Sequence, residues 1–444
     1  MTRAADPDET GLVARDGVRL YWERYGDGDH TILLLPTWSI VHSRVWKMQI
    51  AYLARHARVI TFDGRGNGRS DRPDTVEAYA ATEFAADTIA VMDATGTDRA
   101  VIVGLSAGTR WGTMLAAEHP DRVAGMVAIG AAISLDEDPA RTIASFTKPL
   151  DSYSGWGKFH RSYWLENYAD FLEFFFHQVF TEPHSTKPIE DCVSWGLETT
   201  PETLALTFIG GQVPPAENRR LAEKVSCPVL VIHGDEDAVC PHENGVNLAA
   251  VTGGTLVTLE GGGHCPQVRD PVRVNTLLRD FAVPAPAPRR WIRGRSRRKR
   301  ALYISSPIGL GHARRDVAIA RELRNLHPDL QIDWLAQHPV TAVLEAEGER
   351  IHPASALLSN ESHHIESESA EHDLHCFQAW RNMDEILLAN FMVFHDVVRE
   401  EPYDLWIGDE AWELDYYLHE NPDQKRAAYA WLTDFVGWIP MPDG

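Results

Sequence analysis

Short apolar runs alternate with longer amphipathic segments over the first 283 residues. The runs are rich in Val, Ile and Leu with little polar alternation, which is typical of parallel strands that are covered on both faces. We therefore predict strands at 31–36, 59–63, 100–105, 126–132, 228–234 and 255–260, and helices at 45–56, 80–95, 109–119 and 271–281. This β-α-β-α order predicts an α/β fold with a doubly wound, mostly parallel sheet.

Residues from about 134 to 215 interrupt this alternation. The stretch is aromatic and has a helical period, so we expect a helical lid that lies over the sheet. Trp156, Tyr163 and Trp164 are our candidates for contacts with a substrate. The same rings could equally hold the lid together, and the pattern does not separate the two roles.

The segment Gly104-Leu105-Ser106-Ala107-Gly108 matches G-x-S-x-G. It lies between a predicted strand and a predicted helix, which is the setting of a nucleophile elbow. Glycine is expected at both ends because a side chain there would collide with neighbouring backbone. The pattern predicts that Ser106 is a catalytic nucleophile.

A serine hydroxyl needs a base, and the base needs an acid that fixes its tautomer. His264 ends a Gly-Gly-Gly-His run after the strand at 255–260, so it is the candidate base. Three carboxylates, at positions 235, 236 and 237, follow the strand at 228–234. We favour Asp237 because it lies farthest round the loop, and the order Ser, Asp, His suits this architecture.

An oxyanion hole requires two backbone N–H donors. Ala107, directly after the candidate nucleophile, is one candidate, and Trp38, in the loop after the strand at 31–36, is the other. The segment 64–68 also reads G-x-G-x-G, but its spacing differs from that of a nucleotide-binding loop. We interpret that segment as a tight structural turn near the elbow.

Four motifs together resemble the α/β-hydrolase superfamily over about residues 10–283: DGRGNGRS at 63–70, the elbow at 104–108, GDED at 234–237 and GGGH at 261–264. The resemblance implies a Ser-Asp-His enzyme without a cofactor or metal, which is an esterase, a lipase-like enzyme, a carbon–carbon bond hydrolase or a perhydrolase. Of these we favour a serine hydrolase that cleaves a small ester or related carbonyl compound through an acyl-enzyme. Serine at the elbow argues against haloalkane dehalogenases and epoxide hydrolases, which use aspartate there. Pro36-Thr37 replaces the His-Gly usual in the family, which changes the surroundings of the Trp38 amide.

A proline-rich and basic segment at 284–300 divides the chain. It reads PAPAP followed by RRWIRGRSRRKR, and so many cations cannot pack into a core. We predict a linker between a domain at 1–283 and a second domain at 301–444. The basic residues at 289–300 could also contact an anionic membrane or the acidic body of the protein itself.

The region 301–444 begins again with a strand, a glycine-rich turn and a helix, which predicts a second, Rossmann-like α/β domain. The strand, the GLGH run at 309–312 and the helix resemble the N-terminal, acceptor-binding half of GT-B glycosyltransferases. The resemblance implies roles for Gly309, Gly311 and His312 at a site for a sugar or lipid acceptor. Asp409 and Glu410, at the end of a predicted strand, are expected to face the same cleft. Such enzymes bind their donor mainly in a second half, so we expect this domain to be incomplete as a transferase.

Composition and net charge argue against some classes of function. The formal net charge of −22 argues against nucleic-acid binding, and the five scattered cysteines favour a reducing, cytoplasmic location. Three hypotheses remain. The first is a carboxylic ester hydrolase, the second is a glycosyltransferase-related protein that binds an acceptor in its C-terminal half, and the third is a ligand receptor without turnover that uses the hydrolase pocket.

Overall fold

The computed structural model describes residues 3–136, 141–284, 297–368 and 376–434. The chain divides into two compact units, one of Asp6–Ala285 and one of Met1–Ala5 with Pro286–Gly444. Much of the predicted linker, at 285–296, lies outside the described residues. Each unit is built around its own sheet.

The sheet of the first unit has eight strands in the order β1-β2-β4-β3-β5-β6-β7-β8. Strands β3 to β8 run parallel to one another, and β1 and β2 form an antiparallel hairpin at one edge. The strands are β1 Glu9–Arg15, β2 Val18–Tyr25, β3 Thr31–Leu34, β4 Arg58–Phe62, β5 Ala100–Leu105, β6 Val123–Ile129, β7 Val229–Gly234 and β8 Thr255–Leu259.

Burial explains why the parallel strands read as continuous apolar runs. Every residue of β5 and of β7 is buried, whereas the edge strand β8 is largely accessible. Helices cover the sheet: α1 Lys47–Leu53, α2 Ala81–Ala94, α3 Gly108–Glu118, α4 Ile143–Thr147, α5 Arg161–Val179, α6 Thr186–Gly196, α7 Pro201–Gly210, α8 Pro215–Ala222, α9 His242–Thr252, α10 Pro266–Arg269 and α11 Pro271–Ala282.

The segment from 134 to 215, where we expected a helical lid, contains α4 to α7 and the first residue of α8. Local sequence fixes the start of α7, where Thr200 caps the helix by accepting a hydrogen bond from the Thr203 amide and Pro201 occupies the first turn. The buried face of α5 includes Trp164 and Phe171, so its aromatic residues form part of the core of this segment.

The second unit contains a separate sheet of four parallel strands in the order β10-β9-β11-β12. The strands are β9 Arg300–Ser305, β10 Gln331–Ala336, β11 Leu405–Asp409 and β12 Ala428–Leu432. Its helices are α12 Leu310–Leu326, α13 Val340–Ala346, α14 Glu361–Glu368, α15 Cys376–Arg381, α16 Asp384–Glu400 and α17 Trp412–Glu420.

Several element boundaries differ from the sequence-based expectation, including the following three. Strand β6 ends at Ile129 rather than at 132, because Gly130 has a positive φ of 52° that turns the chain. The sequence pattern predicts that the first helix of the second domain starts at about 313, whereas α12 begins at Leu310, so His312 lies in its first turn. The sequence pattern also predicts one long helix from about 378 to 399, and the structure has two helices there, α15 and α16, separated at residues 382–383.

Candidate active site

Ser106 follows β5 in a strained turn. Its φ is +51°, a left-handed conformation that is uncommon for a residue other than glycine and often occurs at functional sites. The flanking glycines are required sterically. A Cβ on Gly104 would lie 2.5 Å from the carbonyl oxygen of Gly108, and a Cβ on Gly108 would lie 2.9 Å from that of Pro36.

Asp237 and His264 meet at the same edge of the sheet, where the loops after β7 and β8 approach each other. Oδ2 of Asp237 lies 2.7 Å from Nδ1 of His264, and both side chains are almost fully enclosed. The other carboxylate oxygen, Oδ1, accepts hydrogen bonds from the amides of Val239 and Cys240, each at 2.8 Å.

These contacts determine the charge of the carboxylate. Burial by itself would raise the pKa of Asp237, but the charge of His264 and the hydrogen bonds from His233, His264 and the Cys240 amide hold it well below its usual value. Asp237 is therefore a carboxylate throughout the neutral range. The neighbouring Asp235 and Glu236 are exposed, and Asp235 accepts a hydrogen bond from the Gly261 amide at 2.7 Å.

Gly130 connects the surroundings of Ser106 and His264. The Ser106 amide donates to the carbonyl of Ile129, the residue before Gly130, at 2.8 Å. A Cβ on Gly130 would lie 2.5 Å from the carbonyl oxygen of His264 and 3.2 Å from its Nδ1. The absence of a side chain at position 130 therefore allows the histidine loop to approach the strand end beside the elbow.

Sequence reasoning missed three residues that support this geometry: Gly130, Glu182 and His233. Glu182 accepts a hydrogen bond from the Gly263 amide at 2.8 Å and so holds the loop that carries His264. Nε2 of the fully buried His233 lies 3.1 Å from Oδ2 of Asp237. Of these three residues, only His233 could have been identified from local sequence, because it begins the HGDED run that contains Asp237.

The backbone amides of Ala107 and Trp38 are the two candidate oxyanion donors. Within the described residues, neither the Ala107 nor the Trp38 backbone N–H donates a hydrogen bond to the protein. The Trp38 side chain holds its loop in place. Its Nε1 donates to the Thr207 hydroxyl at 2.8 Å, and its ring centroid lies 5.7 Å from that of Trp164. A hydrogen bond to α7 and a ring contact with α5 thus hold the loop that follows β3.

The three lid residues singled out from the sequence lie in different environments. Trp164 is fully buried in an aromatic cluster, with its ring centroid 4.4 Å from that of Phe171. The Tyr163 hydroxyl donates to Asp170 at 2.6 Å. Trp156 is partly exposed and stacks beneath the guanidinium of Arg141, 4.4 Å from its ring centroid. This packing favours a structural role for Trp164.

The turn at 63–70 is held by its own contacts. The buried Arg65 guanidinium binds both carboxylate oxygens of Asp87, at 2.7 Å each. Asp63 accepts hydrogen bonds from the Ser43 and Arg69 amides, at 3.0 and 2.8 Å. These contacts support the interpretation of this glycine-rich segment as a structural turn.

In the second unit, the structure brings His312 and Asp409 together. Nδ1 of His312 lies 2.9 Å from Oδ2 of Asp409 at the carboxyl end of β11, and Arg315 pairs with the same carboxylate. Gly309 precedes α12 and Gly311 lies in its first turn. Of the basic segment, Arg297 and Lys299 pair with Asp404 in this unit, at 2.7 and 3.4 Å.

Two features are absent from the described ranges. No group of three or more His, Cys, Asp or Glu side chains there is placed to hold a metal ion. No helix there is long and apolar enough to span a membrane.

Ser106, Asp237 and His264 lie in loops that follow parallel strands β5, β7 and β8. Open α/β sheets bind their ligands at this carboxyl edge. A family model described as an alpha/beta hydrolase fold matches residues 30–271, which is more than half of the chain. The chain belongs to the α/β-hydrolase family.

Individual relatives agree with this assignment. The serine hydrolase BPHL of Homo sapiens is 27% identical over 285 residues, which cover 61% of this chain and 84% of that protein. RutD of Variovorax paradoxus (strain S110), whose naming as a carbamate hydrolase is itself provisional, is 28% identical over 272 residues, covering 61% of this chain and 98% of RutD.

A solved structure titled as that of Est816, an N-acyl homoserine lactone degrading enzyme, aligns with a TM-score of 0.52 and 27% identity. The alignment covers 61% of this chain and all of that one. These relatives support hydrolase activity for the present protein, acting on a small molecule.

Proposed function

We propose that the first unit is a serine hydrolase that cleaves small esters or related carbonyl compounds through an acyl-enzyme. Ser106 is the nucleophile, His264 the general base and Asp237 the acid that orients the histidine. The observation that carries this proposal is the enclosed 2.7 Å contact between Asp237 and His264, at the sheet edge where Ser106 has a strained backbone.

The chemistry follows from these positions. Nδ1–H of His264 donates to Asp237, which leaves Nε2 as the base that takes the proton from the Ser106 hydroxyl. The Ser106 oxygen then forms a bond to the substrate carbonyl carbon, and the leaving group departs with the proton from His264. Water, deprotonated by the same histidine, cleaves the acyl-enzyme and restores the serine.

The negative oxygen of each tetrahedral intermediate needs preorganised donors. The amides of Ala107 and Trp38 are suited to this because no protein group competes for them in the described structure. Anchoring of the Trp38 ring by Thr207 would compensate for the replacement of the usual His-Gly by Pro36-Thr37. Trp156 and Tyr163 remain our candidates for residues that shape the acyl pocket, whereas we assign the fully buried Trp164 to the packing of the lid.

A panel of 4-nitrophenyl esters, from acetate to octanoate, tests the proposal. Wild-type protein should hydrolyse the shorter esters, and Ser106→Ala should abolish turnover. Thr255→Ala is the matched control, because Thr255 is exposed at the start of β8, the end of that strand away from His264. Ester binding without any turnover would overturn the hydrolase proposal and favour the ligand receptor.

For the second unit, we propose a site for a sugar or lipid acceptor at the GLGH turn, as the GT-B resemblance implies. The supporting observation is the contact between His312 and Asp409, which holds an imidazole at the ends of β9 and β11. Saturation-transfer NMR of the full chain with N-acetylglucosamine should give a signal that His312→Ala removes. An unchanged signal in the variant would contradict this assignment.

A further inference from the structure

Arg110 lies beside the backbone that carries the candidate nucleophile. It is in the first turn of α3, which begins directly after the elbow. Its Nε donates to the carbonyl of Ala132 at 2.6 Å, and the Ala132 amide in turn donates to the carbonyl of Ser106 at 3.3 Å. Its Nη1 donates to the carbonyl of Gly211, at the end of α7, at 2.7 Å. The guanidinium of Arg110 therefore lies between the elbow and the lid.

A second arginine, Arg141, lies beside the loop that carries the candidate acid. Its Nη2 donates to the carbonyl of Val239, and the Val239 amide donates to Oδ1 of Asp237 at 2.8 Å. The guanidinium stacks on the rings of Trp156 and Phe159, 4.4 and 5.5 Å from their centroids. Arg141, which is itself in the lid segment, thus connects the lid to the Asp237 loop.

The two guanidinium groups are near each other. Burial, and to a smaller extent repulsion from Arg141, lowers the pKa of Arg110, and burial also lowers the pKa of Arg141. The thiol of Cys240 lies within electrostatic range of both groups. Burial raises the pKa of that thiol to about 12, so it is neutral at physiological pH and balances neither positive charge.

Neither guanidinium has a carboxylate partner. Among the described residues neither forms an ion pair, and the groups that accept their hydrogen bonds are main-chain carbonyls. Asp237 attracts Arg141, but its oxygens are already bonded to His233, to His264 and to two amides. An enclosed cation without a counter-ion costs free energy, so this pair is suited to receive a negative group from outside the protein.

Several N–H donors of the pair are unused. A guanidinium carries donors on each of its nitrogens. In the described structure, Nη2 of Arg110 has no hydrogen-bond partner, and neither do Nε and Nη1 of Arg141. Both side chains keep part of their surface accessible, as Ser106 does. A structural role for Arg110 accounts for its bonds to carbonyls, but it leaves the positive charge and the free Nη2 unexplained.

We propose that Arg110 and Arg141 bind a carboxylate of the substrate, so that the hydrolase acts on small esters that carry a negative charge. The parallel N–H donors of a guanidinium match the two oxygens of a carboxylate. A carboxylate bound there neutralises the unbalanced charge and places the rest of the molecule beside Ser106. This inference rests on the proposed hydrolase function and narrows its substrate class.

Steady-state hydrolysis of the monoethyl esters of succinate, glutarate and adipate tests the proposal. Each is compared with the neutral compound in which an amide replaces the free carboxylate at nearly the same shape. Hydrogen bonds between charged groups favour the carboxylate, so wild-type protein should prefer the best of these esters to its amide by about tenfold or more in kcat/KM. The ratio of the two kcat/KM values is the readout, because damage to the fold lowers both values together.

Arg110→Gln should lower this ratio by about tenfold, mainly through the KM of the anionic ester, because it removes the charge. Arg110→Lys keeps the charge and should retain part of the preference. Arg99→Gln is the matched control and should keep the wild-type ratio, since Arg99 is exposed just before β5, at the end of that strand away from Ser106. If Arg110→Gln does not fold, as judged by circular dichroism, Arg141→Gln replaces it with the same expected loss.

Calorimetric titration of Ser106→Ala with the same compounds separates this inference from the proposed hydrolysis. The anionic esters should bind about tenfold or more tightly than their amides, whether or not the wild-type protein turns them over. Turnover of no ester, with this preference in binding intact, would reject the hydrolase function and leave the carboxylate site standing. The carboxylate site is overturned if the amides bind or react as well as the anionic esters, if neither binds, or if the folded arginine variants keep the wild-type ratio.

Discussion

Oδ2 of Asp237 lies 2.7 Å from Nδ1 of His264, and the two side chains are almost completely shielded from solvent. The contact joins the loops that follow β7 and β8, which are adjacent strands of the parallel sheet. It selects the tautomer in which Nε2 of His264 is unprotonated and can accept a proton. The proposed mechanism therefore depends on this one hydrogen bond more than on any other.

Asp237→Asn should lower kcat for an ester substrate by about 10⁴-fold, with KM little changed, because the amide favours the wrong histidine tautomer. Steady-state kinetics with 4-nitrophenyl acetate measures both constants. Asp235→Asn is the control, since the Asp235 side chain is exposed and its one hydrogen bond among the described residues is the one that it accepts from the Gly261 amide. An equal loss of kcat in Asp235→Asn would show that the acid was assigned to the wrong carboxylate.

His233 should act as a positioning residue, because its Nε2 lies 3.1 Å from the same oxygen of Asp237. Losing a hydrogen bond to a charged group costs about 1.5–3 kcal/mol, so His233→Leu should lower kcat roughly ten- to hundredfold. His233→Gln retains an N–H donor and should restore part of kcat, with KM unchanged in both variants. Equal kcat values in the Leu and Gln variants would argue that His233 only fills space.

Gly104→Ala should destabilise the elbow, since the added Cβ would lie 2.5 Å from the Gly108 carbonyl oxygen. Overpacking of this kind costs about 1–3 kcal/mol, which lowers the melting temperature by roughly 2–10 °C. In the control Gly112→Ala, the nearest atom to the new Cβ is the side-chain Cδ1 of Leu35, at 3.3 Å. The prediction fails if calorimetry gives the two variants the same melting temperature.

Glu413 should make the second unit less stable as the pH rises. Its pKa is raised to about 8 in the folded protein against about 4.3 in an unfolded chain, so the folded state binds more protons between these values and loses stability across them. Of the titratable groups that face it, Glu361 adds to the shift, and Tyr429 has a pKa raised by its own burial and by Glu413.

Hydrogen exchange of the β11 amides measures this dependence. Glu413→Gln cannot ionise, so its protection should exceed that of wild type at pH 8 and approach it at pH 5. A difference of the same size at both pH values would mean that Glu413 is not the titrating group.

How well each strand could be predicted from the sequence depended on how deeply the strand is buried. The parallel strands of the first unit were predictable because strands such as β5 and β7, buried on both faces, are continuous apolar runs. The hairpin of β1 and β2 was missed, although Asp16 and Gly17 both have positive φ, and Asp-Gly is a strong hairpin signal. That signal was in the sequence and was overlooked.

The candidate site could be predicted from the sequence only in part. Local motifs identified Ser106, Asp237 and His264, because each lies in a glycine-containing loop after a strand. They could not identify Gly130 or Glu182, since the importance of these residues comes from contacts with His264 and Gly263, more than 80 residues away in the chain. The burial of Trp164 among other rings likewise depends on tertiary packing.

Labelling with a fluorophosphonate probe, followed by peptide mapping, tests the central claim most directly, because the probe requires an activated serine and not the natural substrate. We expect labelling of wild-type protein at Ser106, and none in Ser106→Ala or His264→Ala. No labelling of folded wild-type protein, or labelling of Ser106 that persists in His264→Ala, would contradict the proposed serine hydrolase mechanism.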